Sequence, residues 1–142
     1  MTDALTDRQR NARRTAEESP ADLTAADLDA LADLAGHDAE ETRVDAAEAL
    51  SHVAGERPDL VVANVSAVLR GFVVDDVNVR TFAMNAVAAL AREAPERLGE
   101  TTAVSNVAQA LNDRDEWVRA SAAETLGDVG ETDPDLVADA GV

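Results

Sequence analysis

Small and apolar residues recur along this chain at the spacing of one buried helix face, and they do so three times in the same register. Counted from Arg80, Ala83, Val87, Leu90, Ala91 and Pro95 fall at +3, +7, +10, +11 and +15. Counted from Arg43, the same offsets hold Ala46, Leu50, Val53, Ala54 and Pro58; counted from Arg119, they hold Ala122, Leu126, Val129, Gly130 and Pro134. Steps of three and four residues keep a side chain on one side of a 3.6-residue helix. The three arginines lie 37 and 39 residues apart, which makes the pattern an internal repeat.

The prolines follow the same period. They stand at 20, 58, 95 and 134, spaced 38, 37 and 39 apart, and they are all the prolines in the chain. Proline cannot continue a helix that precedes it, yet it suits the first turn of the next. Each therefore marks a turn between the two helices of a pair. The pattern predicts a helix over 24–35, opened by a Thr24/Asp27 capping box, striped by Leu28, Leu31 and Leu34 and closed at Gly36. A longer first helix follows over 38–54, capped by Asp38 and closed by Gly55. Residues 60–74 are rich in valine and would favour a strand in isolation. Their place in the register, and the spacing of Val61, Val65, Val68, Leu69 and Phe72, make them a second helix. Helices over 76–94, 100–112 and 115–129 complete the set, and a short one begins at 134–140.

The expected fold is all-α: an α–α superhelix, a right-handed solenoid of antiparallel helix pairs. Residues 1–18 carry as many arginines as carboxylates and fit the repeat poorly, so they are expected to form a polar helix or arm, a degenerate cap. Residues 19–142 are expected to form the repeat domain, with a partial repeat at 20–36 and repeats at about 38–74, 75–112 and 113–142. Terminal repeats of such arrays differ from inner ones because one face must meet water.

An aspartate precedes each repeated arginine, as Asp38 before Arg43, Asp75 before Arg80 and Asp113 before Arg119. With the downstream Ala and Leu or Val, these strings resemble HEAT and armadillo-type helical repeats over roughly residues 20–140. The resemblance implies that the aspartates and arginines form a ladder between repeats and that the small residues let helices approach. It also implies a scaffold or adaptor that binds other macromolecules along an inner surface formed by the second helices. Some relatives belong to chromophore lyases, so an accessory subunit of an enzyme or of a chromophore-lyase-type complex is the alternative, beside a structural segment of a longer array. An exposed Arg–Asp pair contributes only ~0–1 kcal/mol, whereas burying each Leu or Val contributes about 1.5–3 kcal/mol. Packing should hold the array together while the arginines set its register.

Charge changes this picture at the surface. Against 29 acidic residues there are 12 basic ones, all arginine, for a net charge of −17; lysine, isoleucine, cysteine and tyrosine are absent. Acidic disordered chains are poor in apolar residues, but this one is 46% hydrophobic. The carboxylates therefore coat a folded protein. Such a coat without lysine is similar to that of halophilic, archaeal-type HEAT repeat proteins. At molar salt the screening length falls to ~3 Å and like charges cease to repel. No disulfide or cysteine metal site can form. The N-terminus has no signal-like apolar stretch and no window is apolar enough to span a membrane, so the expected location is the cytoplasm.

Candidate chemistry is sparse. His37 and His52 have no ligand-spaced partners, and no metal site is expected. The paired carboxylates Glu40/Glu41, Asp75/Asp76 and Asp113/Asp115 sit at helix starts, where the helix dipole favours negative charge. No phosphate loop or nucleophile motif is present. No catalytic residue and no cofactor are expected. Arg8, Arg10, Arg13 and Arg14 could touch phosphate, but the acidic body and the shortage of aromatics argue against nucleic acid as a partner. Trp117 stands where the other copies have Glu41 and Asn78, and tryptophan is enriched at binding hot spots. Residues 60–74 carry one charge, Arg70, and residues 101–112 carry none. Asn64, Arg70, Asn106 and Gln109 are therefore candidates to line an uncharged groove for a protein partner; Trp117 is a separate candidate contact, or else covers the end of the array by packing on the short last helix.

Overall fold

The computed structural model describes residues 5–141, and among these there are only helices and turns. Residues 1–4, part of the expected N-terminal arm, lie outside the described residues. The first helix, α1 (Asp7–Glu18), starts at Thr6, whose hydroxyl accepts the Gln9 N–H while the Gln9 side chain accepts the Thr6 N–H. Reading the repeat back from Pro20 finds small residues at Ala12 and Ala16. Those two are the ones α1 buries, and the helix packs on α2 (Ala25–Leu34) and α3 (Glu40–Glu56). The Thr24/Asp27 capping box opens α2.

The helices α3, α6 (Val77–Glu93) and α9 (Glu116–Thr132) carry the repeated register, and they stack in order, α3 on α6 and α6 on α9. A single buried cluster runs from Ala12 through Leu50, Val87 and Leu90 to Val129. Small residues make the stack tight. Ala83, Ala86, Ala88, Ala89 and Ala91 are all buried on α6, which has a neighbour on either side. Pro58, Pro95 and Pro134 occupy the first turns of α4 (Pro58–Ala63), α7 (Pro95–Leu98) and α10 (Pro134–Asp139). Arg57, Ala94 and Asp133 before them leave the helical region, with φ of −130°, −145° and −150°.

The second helices are less regular than their pattern predicts. Residues 60–74 break into α4, α5 (Ser66–Leu69) and a 3-10 turn at Arg70–Val73. The break has a local cause at Asn64. Its side-chain amide donates to the Leu60 carbonyl at 2.9 Å, the acceptor its own backbone N–H would take in a continuous helix. That N–H turns instead to Val61 at 3.0 Å. In the next pair, α7 stops at a turn where the Thr101 hydroxyl accepts the Ala103 N–H at 3.1 Å, and α8 (Ala103–Gln109) follows with a 3-10 turn at Ala110–Asn112. Gly71 lets the turn after α5 approach α6: a Cβ there would lie 3.1 Å from the Ala83 Cβ. Among the described residues no helix is long and apolar enough to cross a membrane.

Candidate interaction surfaces

Arg80 leaves only 6% of its surface exposed. Its Nη1 donates to the Val74 carbonyl at 2.9 Å, six residues back. Its Nη2 donates to Asp113 Oδ1 at 3.1 Å, and Nε lies 2.9 Å from Asp113 Oδ2 as an ion pair without an aligned hydrogen bond. Arg43 repeats the geometry: Nη1 donates to the carbonyls of His37 and Asp38 at 3.1 Å each, and Nε to Asp76 Oδ2 at 2.8 Å. Both arginines reach an acid 33 residues further on, at the turn of the following unit. Arg119 makes the same backward bond, to the Asp113 carbonyl at 2.8 Å.

The acids of the ladder are thus Asp76 and Asp113, which corrects the expected set. Asp38 is exposed, and Ala39, with no side chain to offer, stands at the N-cap of α3. The His37 imidazole accepts the Ala39 N–H at 3.0 Å and orders that turn instead. Asp75 pairs with Arg114 at the surface. Asp76 is placed inward because it also caps α6: Oδ1 accepts the N–H groups of Asn78 and Val79, leaving Oδ2 for Arg43. The third unit has one more residue here, and the duties separate. Asp113 takes Arg80, while Asp115 caps α9 through the N–H groups of Trp117 and Val118. Burial alone would raise the Asp76 carboxyl, but the Arg43 hydrogen bond and the two N–H donors outweigh it and hold the group below its ordinary value. Asp113 is likewise lowered, against its burial, by the Asp115 N–H and the Arg80 guanidinium. A further set of arginine contacts went unread in the sequence. Arg57 Nη1 donates to the Pro20 and Ala21 carbonyls at 2.8 and 2.9 Å, and Arg97 Nη1 to the Asp59 carbonyl at 3.3 Å. They escape a register search because Arg57 precedes its proline and Arg97 follows it.

The four residues proposed for an uncharged groove do not come together. Asn64 is engaged with its own helix, and Arg70 is paired with Asp29 at 3.0 Å and with Asp33. Asn106 and Gln109 do meet, around a recess of about 140 Å³ between α8 and the turn after α5, with Phe72, Val73 and Val118 and with the Arg80–Asp113 pair. Val73 is 85% exposed here, and Trp117, next to Val118 in the chain, is 66% exposed; among the described residues they are the large apolar side chains most open to water.

The broader concavity is on the first helices, whereas the resemblance to HEAT and armadillo-type repeats implies an inner surface on the second. A recess of about 480 Å³ crosses α3, α6 and α9. Ser51, Gly55, Ala88, Ala89 and Ser121 keep its floor low, and Glu56, Arg92, Glu124 and Asp128 stand around it. A second recess of about 540 Å³ adjoins it at His52, with Glu17, Asp45 and Glu48. The signal was present in the repeat: five residues past each ladder arginine the chain has Glu48, Asn85 and Glu124, a polar column repeated on the three stacked helices.

Residues 75–139 match the family model described as HEAT repeats. The crystal structure of an engineered protein superposes with a TM-score of 0.61 at 23% identity, over 96% of this chain. The chain spans 64% of the length of that protein, and at this identity the likeness is one of fold. No curated protein matches the chain. The protein is an all-α solenoid whose part from residue 75 to 139 is similar to HEAT repeats.

Proposed function

We propose that the protein is a non-catalytic scaffold that binds another protein, and that one docking site is the edge around Val73 and Trp117. The observation that carries this is exposed Val73 at the mouth of a recess rimmed by Asn106 and Gln109, with exposed Trp117 adjacent in the chain to Val118, which lines the same recess. Binding sites at protein surfaces combine an apolar or aromatic anchor with a polar rim in this way. The HEAT-like repeat supports the same reading. The edge is also backed by the Arg80–Asp113 pair, which fixes α8 and α9 relative to α6 and leaves little rearrangement for a partner to induce. Val73→Asp combined with Trp117→Ala should abolish capture of the partner while leaving the thermal unfolding curve in place. Capture at parental strength by this double variant would refute the site.

The acidic, lysine-free surface fits a protein of a salt-rich cytoplasm. In that setting the fold should lose stability as KCl is lowered from molar to millimolar concentration. A melting temperature that does not change with salt would count against it.

A further inference from the structure

The recess behind Val73 is small and of mixed character. Its volume, about 140 Å³, is close to that of an engineered apolar cavity of ~150 Å³ that holds one benzene ring. Phe72, Val73, Ala110 and Val118 supply carbon walls. Asn106 and Gln109 supply side-chain amides that make no hydrogen bond among the described residues.

The remaining wall is the Arg80–Asp113 pair, and one of its oxygens is unspent. Asp113 Oδ1 accepts from Arg80 Nη2 at 3.1 Å and from the Asp115 N–H at 2.9 Å. Oδ2 lies 2.9 Å from Arg80 Nε but accepts no aligned hydrogen bond. Among the described residues, the buried side-chain atoms without a partner are Arg80 Nε and Thr81 Oγ1. Oδ2 is not one of them, so it is open to a donor that enters the recess. The guanidinium and the carboxylate cancel in charge, and so do Arg114 and Asp75 on the adjoining surface. The site therefore offers an acceptor without net charge.

These features select among side chains. An ammonium seeking Oδ2 would approach the Arg80 guanidinium, and a carboxylate would meet Asp113. A phenyl ring would fill the walls but leave Oδ2 cut off from water and unpaired. An indole N–H can donate to Oδ2 but cannot accept from the amides, whereas a phenol does both. We propose that the recess is the anchor pocket of the docking edge and takes a tyrosine side chain of the partner protein. The ring lies against Phe72, Val73 and Val118, the O–H donates to Asp113 Oδ2, and the oxygen accepts from the amide of Asn106 or Gln109. The assignment rests on the reading of this edge as a docking site. The chain has no tyrosine of its own, so the side chain comes from a different protein and not from a second copy.

The test is two-dimensional NMR of the nitrogen-15-labelled protein in molar KCl. It is titrated with N-acetyltyrosinamide and with N-acetylphenylalaninamide, which differ by the hydroxyl alone. The side-chain amide signals of Asn106 and Gln109 should shift and saturate with the tyrosine amide, at an affinity at least ~tenfold above that of the phenylalanine amide. Gln109→Trp, at an exposed position on the rim, should close the mouth and abolish the Asn106 shift while leaving the thermal unfolding curve in place. Equal affinities for the two amides would overturn the proposal, as would no shift with either, or an Asn106 shift that persists in Gln109→Trp. The edge and its anchor fail in different ways. Equal amide affinities, with partner capture still lost in the Val73→Asp, Trp117→Ala variant, would leave the edge standing and remove tyrosine from it. A tyrosine preference, with capture intact in that double variant, would refute the edge and with it the partner assigned to the recess.

Discussion

Arg80 on α6 and Asp113 at the turn before α9 form a nearly buried pair, with 7% and 14% of their side-chain surfaces exposed. The same guanidinium holds the Val74 carbonyl of its own unit. One side chain therefore fixes the turn that precedes its helix and the start of the next helix. Removing it should leave a partly buried carboxylate facing an unpaired carbonyl. Arg80→Ala is expected to cost about 2–4 kcal/mol in chemical denaturation. Arg119→Ala, exposed and bonded only to the Asp113 carbonyl, should cost no more than about 0.5 kcal/mol. Equal costs at the two positions would contradict the ladder.

The lowered Asp113 carboxyl ties this pair to pH. A carboxyl whose value falls on folding stabilises the fold above its unfolded value, about pH 4. That contribution disappears as pH drops through the lower folded value. Asp113→Asn should therefore be less stable than the parent near neutrality, and the two should converge in acid. A stability difference that stays constant from pH 7 to about pH 2 would show that the charge on Asp113 is not what matters.

Two glycines should respond in opposite directions. Gly71→Ala places a methyl 3.1 Å from the Ala83 Cβ and close to Val79, both fixed on α6. It should destabilise by about 1–3 kcal/mol. Gly127 lies within α9, where an added Cβ meets nothing within 4 Å. Gly127→Ala should stabilise by about 0.5–1 kcal/mol through helix propensity alone. Urea denaturation of the two variants decides this directly.

Trp117 offers an intrinsic probe. At its exposed position it should emit at the red end of the tryptophan range and be readily quenched by acrylamide. A partner on the Val73–Trp117 edge should suppress that quenching. Quenching of Trp117 left unchanged by a bound partner would contradict the edge as the docking site.

The stacked helices were legible because three copies share one register. A single valine-rich stretch such as 60–74 could not have been assigned alone. The prolines added the turns, since ring closure acts at each position regardless of context. The break at Asn64 was not legible, because a side-chain amide competing for the Leu60 carbonyl leaves no mark on hydrophobic spacing. Nor could the pattern choose between Asp75 and Asp76, adjacent residues of one type, since the choice rests on which of them the helix cap turns inward. The uncharged second helices drew attention as a groove, yet their lack of charge accompanies burial of Val61, Val62, Val68, Val104 and Val107. The first-helix recess was hidden for the opposite reason. Its column at 48, 85 and 124 reads as ordinary surface until the stack brings three helices side by side.

The claim that the array works by offering a docking edge to another protein is tested most directly by site-specific photo-crosslinking in cells producing the chain. A benzophenone side chain placed at Val73 or Trp117 should give a discrete covalent adduct with one protein. The same group at exposed Asp22, away from the edge, should give none. No adduct at Val73 and Trp117, or the same adducts at all three positions, would contradict it.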